Sequence, residues 1–273
     1  MKPFLTLLLL ALGSQASAQT LPSHVDILKT VYGPGFDAAL IDGVRNCPAD
    51  PGPEHDRCMA LPSARAGLRI LKEIKIAEGL EFRVYALTEI EPRDTCHACA
   101  PSLGMAVFVW RANHWQIESE RPDASDLGTF GAPAHAELIR IGPHLHGFLL
   151  TLAALGQGFE ETEASLIAPA GQSVDEIWSG PLHQLLEGDE ADGVAKQDIP
   201  DMDASIHFES LNNSDHDQIV VVRRGRGYDP LVGDRTVRPM NRTEIYRFKD
   251  GKYQLYKKFE SRSESTIAVK PSH

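Results

Sequence analysis

The strongest constraint on the fold lies near the C-terminus, where Asp250-Gly251 separates two runs of alternating apolar and polar residues at 243–248 and 253–259. Asp and Gly both tolerate positive φ, so the pair fits the two-residue turn whose twist matches that of a β-hairpin. Similar units recur upstream. Residues 68–76 and 82–88 alternate on either side of Glu78-Gly79, although Leu71 breaks the pattern and leaves a helical reading of the first arm open. Residues 105–110 and 114–118 flank Arg111-Ala112-Asn113. Residues 136–141 and 148–155 flank Gly142-Pro143, and 163–168 return after Gly156-Gln157-Gly158. Residues 204–209 and 219–222 complete the set. Short strands divided by glycine turns predict a mainly β fold, an antiparallel sheet or meander, with sandwich and propeller arrangements both open. No strict internal repeat is present, and no alternation of strands with long helices that would indicate a doubly wound sheet.

One helix is expected, at residues 23–32. Ser23-His24-Val25-Asp26 resembles a capping box, Val25, Leu28 and Val31 keep helical spacing, and Gly33-Pro34-Gly35 ends the run. Residues 186–203 form the most polar stretch and read as a surface loop, or an internal linker, within an otherwise single domain at 19–273.

The N-terminus sets the compartment. Lys2, the apolar run through Leu12 and the triplet Ala16-Ser17-Ala18 follow the order of a cleavable secretory signal, with cleavage expected after Ala18. That apolar run is too short to span a bilayer, which takes roughly 20 apolar residues, and no later stretch reaches that length. The expected location is therefore periplasmic or secreted. The formal net charge of −11, with no basic block larger than Arg223-Arg224-Gly225-Arg226, argues against nucleic acid and anionic membrane surfaces as partners.

Export changes the reading of the four cysteines. Cys47 with Cys58, and Cys96 with Cys99, form two local pairs, and in an oxidising space disulfides are the favoured reading. The loop from Cys47 to Cys58 is rich in proline and polar residues, so a staple there would stabilise by roughly 3 kcal/mol in the chain-entropy model. Cys96-His97-Ala98-Cys99 also matches a thiol-exchange spacing. The residues that follow favour a strand over the helix that usually activates such a thiol.

No metal or other cofactor is expected, and two segments come nearest to one. In a strand, His144 and His146 would project from the same face, but no third ligand is identified. Asn213, Asp215 and Asp217 alternate oxygen ligands ahead of a strand, which resembles the calcium loops of integrin-type β-propeller repeats over this short segment alone. The glycine within such loops is missing and the segment does not recur, so a solvated acidic turn is the better reading. Glu160, Glu161 and Glu163 beside the Gly-Gln-Gly turn could line a site, and read more simply as a solvated edge. The fingerprints of a nucleophile elbow, a zinc protease helix, a phosphate loop and a dinucleotide site are all missing from the sequence.

These readings lead to an exported, non-enzymatic binding protein of the inhibitor or immunity type, acting on another exported protein or a wall-associated ligand. The alternative is an envelope enzyme, either a carboxylate-dependent hydrolase or a thiol–disulfide oxidoreductase using Cys96 and Cys99.

Overall fold

A computed structural model describes residues 20–33, 68–78, 81–90, 99–129, 132–156, 158–187, 191, 193–234 and 236–260. The leader expected at 1–18, and Cys47, Cys58 and Cys96, lie outside these residues. The described part is mainly β, with a large, mostly antiparallel sheet and one short helix. No described helix is long and apolar enough to cross a membrane.

The helix, α1 (His24–Tyr32), forms as its sequence requires. The Ser23 side chain caps it by accepting from the Asp26 amide at 3.1 Å, and Gly33 ends it at φ 83°. Ile27, Leu28 and Val31 are its buried face.

Twelve strands make three successive four-stranded meanders. The first is β1 (Leu68–Glu78), β2 (Glu81–Ile90), β3 (Ser102–Arg111) and β4 (His114–Ser125). A two-stranded hairpin, β5 (Gly128–Thr129) and β6 (Ala132–Pro133), leads to the second. That meander is β7 (His135–Gly142), β8 (Leu145–Gly156), β9 (Phe159–Ala170) and β10 (Ser173–Leu186). The third is β11 (Asp201–Glu209), β12 (Gln218–Tyr228), β14 (Arg242–Lys249) and β15 (Lys252–Glu260), with β13 (Val237–Pro239) added beside β12. The hairpin turns carry the expected chemistry. Ala112 and Asn113 have φ of 49° and 64°, and Asp250 and Gly251 have 51° and 84°. The polar stretch at 186–203 is a shorter connection than expected, because β10 runs to Leu186 and β11 starts at Asp201.

The meanders pack face to face. Tyr85, Leu87, Met105 and Val107 of the first meet Phe148, Leu150 and Ile167 of the second. Leu166, Ala168 and Trp178, on the opposite face of the second, meet Ile219, Val221 and Tyr246 of the third. On the outer side of the first meander, Val84, Ala86 and Phe108 are covered by Ile27 and Val31 of α1. A strand covered on both faces need not alternate, and Ala164 to Ala168 are accordingly all buried.

Backbone pairing between meanders is sparse. β4 and β10 share one parallel partnership, Ser173 with Glu120, and β10 and β11 share three antiparallel ones. Side chains close much of the two seams.

Candidate functional site

The first seam is closed by a buried carboxylate. Glu78, at the end of β1, is 6% exposed. Its Oε1 lies 2.6 Å from His146 Nδ1 on β8 and accepts from Tyr85 Oη at 2.8 Å, and its Oε2 accepts from Arg83 Nη1 at 2.8 Å. Burial pushes the Glu78 pKa up, but His146, Tyr85 and Arg83 outweigh it and hold the carboxyl below its ordinary value. Burial beside that carboxylate pushes the Tyr85 hydroxyl well up. Arg83 reaches further, donating to Glu118 at 2.7 and 3.1 Å and to Glu81 at 3.0 Å.

In front of Arg83 and Tyr85 lies an open cleft of about 360 Å³ to which all three meanders contribute. The first supplies Arg83, Tyr85 and Glu118. The second supplies the β7–β8 turn with Pro143 and His144, and the β9–β10 turn with Gly171. The third supplies Asp215 and His216 from the β11–β12 connection. That connection is docked, not dangling. The Asp217 amide donates to the Ile141 carbonyl at 2.7 Å, and Tyr253 Oη donates to the Asp217 carbonyl at 2.8 Å. A Cβ on Gly142 would lie 2.1 Å from the Asp215 carbonyl oxygen, so only glycine permits this approach. His216 stacks flat on Phe248 with ring centroids 3.6 Å apart. Burial lowers its pKa against the opposing pull of Asp215 and Asp217, and its buried Nε2 has no hydrogen-bond partner among the described residues.

The cleft thus unites two segments that the sequence singles out separately, His144 and the Asn213–Asp217 stretch. It does not unite them as metal ligands. His144 occupies the turn and His146 lies within β8 against Glu78, so they are not two same-face positions of one strand. Asn213 sits in a turn at φ 59°, Asp215 is exposed and Asp217 is buried. Among the described residues no three His, Cys, Asp or Glu side chains are grouped to hold a metal ion. Cys99 lies just ahead of β3, in a non-helical segment; its expected partner Cys96 lies outside the described residues.

A second cleft, of about 610 Å³, opens at the seam between the second and third meanders. Phe159, Glu161, Glu163 and Gln184 line one side, and Tyr228 and Asp229 the other. Burial, with Glu161 and Glu176 nearby, raises the Glu163 pKa. Asp229 is held down by the Arg242 guanidinium, which donates to it twice, at 2.6 and 2.7 Å. The sequence signals Glu161 and Glu163 beside their glycine turn, but not the aromatic pair, because Phe159 and Tyr228 meet across 69 residues.

Neither a protein-family model, a curated protein nor a solved structure matches this chain.

Proposed function

We propose that this chain is an exported, non-enzymatic binding protein of the inhibitor or immunity type, directed to the periplasm or beyond by residues 1–18. Its ligand, another exported protein or a wall-associated molecule, contacts the cleft around His144 and Asp215. The observation that carries this reading is the convergence of three connections on one opening. The β7–β8 turn, the β9–β10 turn and the β11–β12 connection all line it while their strands stay in a packed scaffold. Binding residues concentrate on connections held this way. The unpartnered Nε2 of His216 adds a buried polar atom at the same place, of a kind that costs about 1–3 kcal/mol if nothing satisfies it. The hydrolase alternative draws instead on Glu163, whose carboxyl pKa is held above its ordinary value by desolvation and the neighbouring Glu161 and Glu176, the direction a general acid needs. The thiol-exchange alternative rests on Cys96 with Cys99, and the disulfides belong to the same proposal.

The test compares the mature protein with its His144→Ala/Asp215→Ala variant. Both side chains are exposed, so the fold should survive. Each protein is immobilised and exposed to the envelope fraction of its own source, and the bound material is identified by mass spectrometry. A component retained by the mature protein and lost by the variant supports the reading. Identical retention by both removes this cleft from binding, and turnover of wall glycan or of insulin disulfides would favour the corresponding enzyme.

A further inference from the structure

The second cleft has a different chemistry and its own consequence. Its volume falls within the range of small-molecule sites, roughly 300–1,000 Å³. Phe159 and Tyr228 form an aromatic wall, with ring centroids 5.9 Å apart and planes tilted by 48°. Behind them, Gln184 is 3% exposed and has both ends of its amide committed. Its Nε2 donates to Glu161 Oε1 at 2.8 Å, and its Oε1 accepts from the Tyr228 amide at 2.9 Å. A Cβ on Gly227 would sit 2.6 Å from that Oε1, so glycine clears the space Gln184 occupies. One buried amide therefore fixes a carboxylate on the second meander and the aromatic strand of the third.

The carboxylates here are not a bare acidic patch. Asp229 is gripped by Arg242 and Asp234 by Arg238, so both charges are matched from behind. Glu161 and Glu163 stand two residues apart on β9, on one side of the strand and about 7 Å apart along it. The cleft thus offers oriented oxygen acceptors beside aromatic faces, with Asp229 and Asp234 matched by arginines and Glu161 held by a neutral amide. Hydroxyl groups donate to such acceptors, and the C–H faces of pyranose rings pack on aromatic rings.

We propose that this cleft binds a neutral carbohydrate chain, with Phe159 and Tyr228 as the stacking wall and Glu161, held by Gln184, as a hydroxyl acceptor. This site is separate from the cleft around His144, and either can fail without the other.

The experiment titrates the mature chain, labelled with nitrogen-15, with cellopentaose, chitopentaose and maltopentaose. The side-chain amide of Gln184 is the reporter. A saturable shift with any one of the three is expected, weakened about tenfold or more in Phe159→Ala, a loss of the size reported for aromatic contacts. In Glu161→Gln the same sugar should bind within a few-fold, because the amide oxygen still accepts. The proposal is overturned if no sugar gives a saturable shift up to about 10 mM, weaker than the millimolar binding typical of minimal recognition. It is equally overturned if spermidine shifts the Gln184 amide and Glu161→Gln abolishes that shift, since the cleft would then be reading charge.

Discussion

Replacing Glu244 by glutamine should destabilise this protein strongly, although it alters very few atoms. Glu244 is 0% exposed and sits between two buried arginines, Arg223 at 1% and Arg242 at 2%. Its Oε1 accepts from Arg242 Nε at 2.5 Å, and its Oε2 from Arg223 Nε at 3.1 Å and Tyr246 Oη at 2.7 Å. Asp229 is the second anion, so two cations face two anions. Glutamine removes one charge and turns one acceptor into a donor aimed at an arginine N–H. Asp229 still serves Arg242, which leaves Arg223 with the Pro181 carbonyl at 2.5 Å and no counter-charge. An orphaned buried charge costs about 3–5 kcal/mol. At about 2–4 °C per kcal/mol for a chain of this size, the melting temperature should fall by about 6–20 °C.

Urea unfolding followed by circular dichroism gives the free energy directly. Tyr246→Phe is the control: it removes one hydrogen bond to the same carboxylate and should cost about 1.5–3 kcal/mol. The double variant Arg223→Met/Glu244→Leu removes one cation with one anion and leaves the Arg242–Asp229 pair intact. It should lie nearer to the native protein than Glu244→Gln does, as buried pairs replaced by apolar groups generally do. The reasoning is refuted if Glu244→Gln costs less than Tyr246→Phe, or if the double variant is the least stable of the three.

Two further outcomes follow from the first seam. Gly142→Ala drives a methyl group into the Asp215 carbonyl and should cost about 1–3 kcal/mol while shifting the amide resonances of residues 213–217; unchanged resonances would show that the approach is not tight. Glu78 has a depressed folded pKa, so its contribution is complete above its unfolded value of about 4.3 and is lost as pH falls through the folded one. As pH falls below about 5, stability should therefore drop more steeply in the native protein than in Glu78→Gln, and parallel acid limbs in urea titrations would contradict the assignment.

What the sequence makes legible is local. The helix, its serine cap and the turns at Ala112-Asn113 and Asp250-Gly251 are written in neighbouring residues, and the structure places them where they are expected. Leu71 breaks the alternation of β1 because pairing with β2 slips between Ile70 and Lys72, making Leu71 the extra residue of a bulge. β10 is invisible for the same reason twice over. It carries register shifts between Glu176 and Trp178 and between Pro181 and His183, and Gly180-Pro181 lies in its middle, so neither alternation nor composition marks it. It is nonetheless the strand that joins the three meanders. The clefts are illegible for a different reason. His144 and Asp215 are recognisable singly, but their meeting depends on the packing of one meander on the next, and no local pattern encodes that.

The placement of both clefts follows from how the seams are built. Within a meander, backbone pairing runs over five to twelve residues between neighbouring strands. Between meanders the ladder is reduced to one partnership at one seam and three at the other. Polar groups there must be satisfied by side chains, because a buried group left unpaired is costly. Glu78 with His146 spans the first seam, joined by Arg121 with Asp175 at 2.6 Å, and Arg223 with the Pro181 carbonyl spans the second. Side-chain bridges leave gaps where a ladder would leave none, and the gaps open beside those bridges. Arg83 and Tyr85 both hold Glu78 and line the first cleft, while Pro181 and Asp229 both belong to the second network and line the second. Buried ion pairs contribute little net stability compared with apolar packing, and here the side-chain bridges are contacts that tie one meander to the next. A ligand in either cleft would touch groups that hold these contacts, and binding there would act on the seam as well as on the surface.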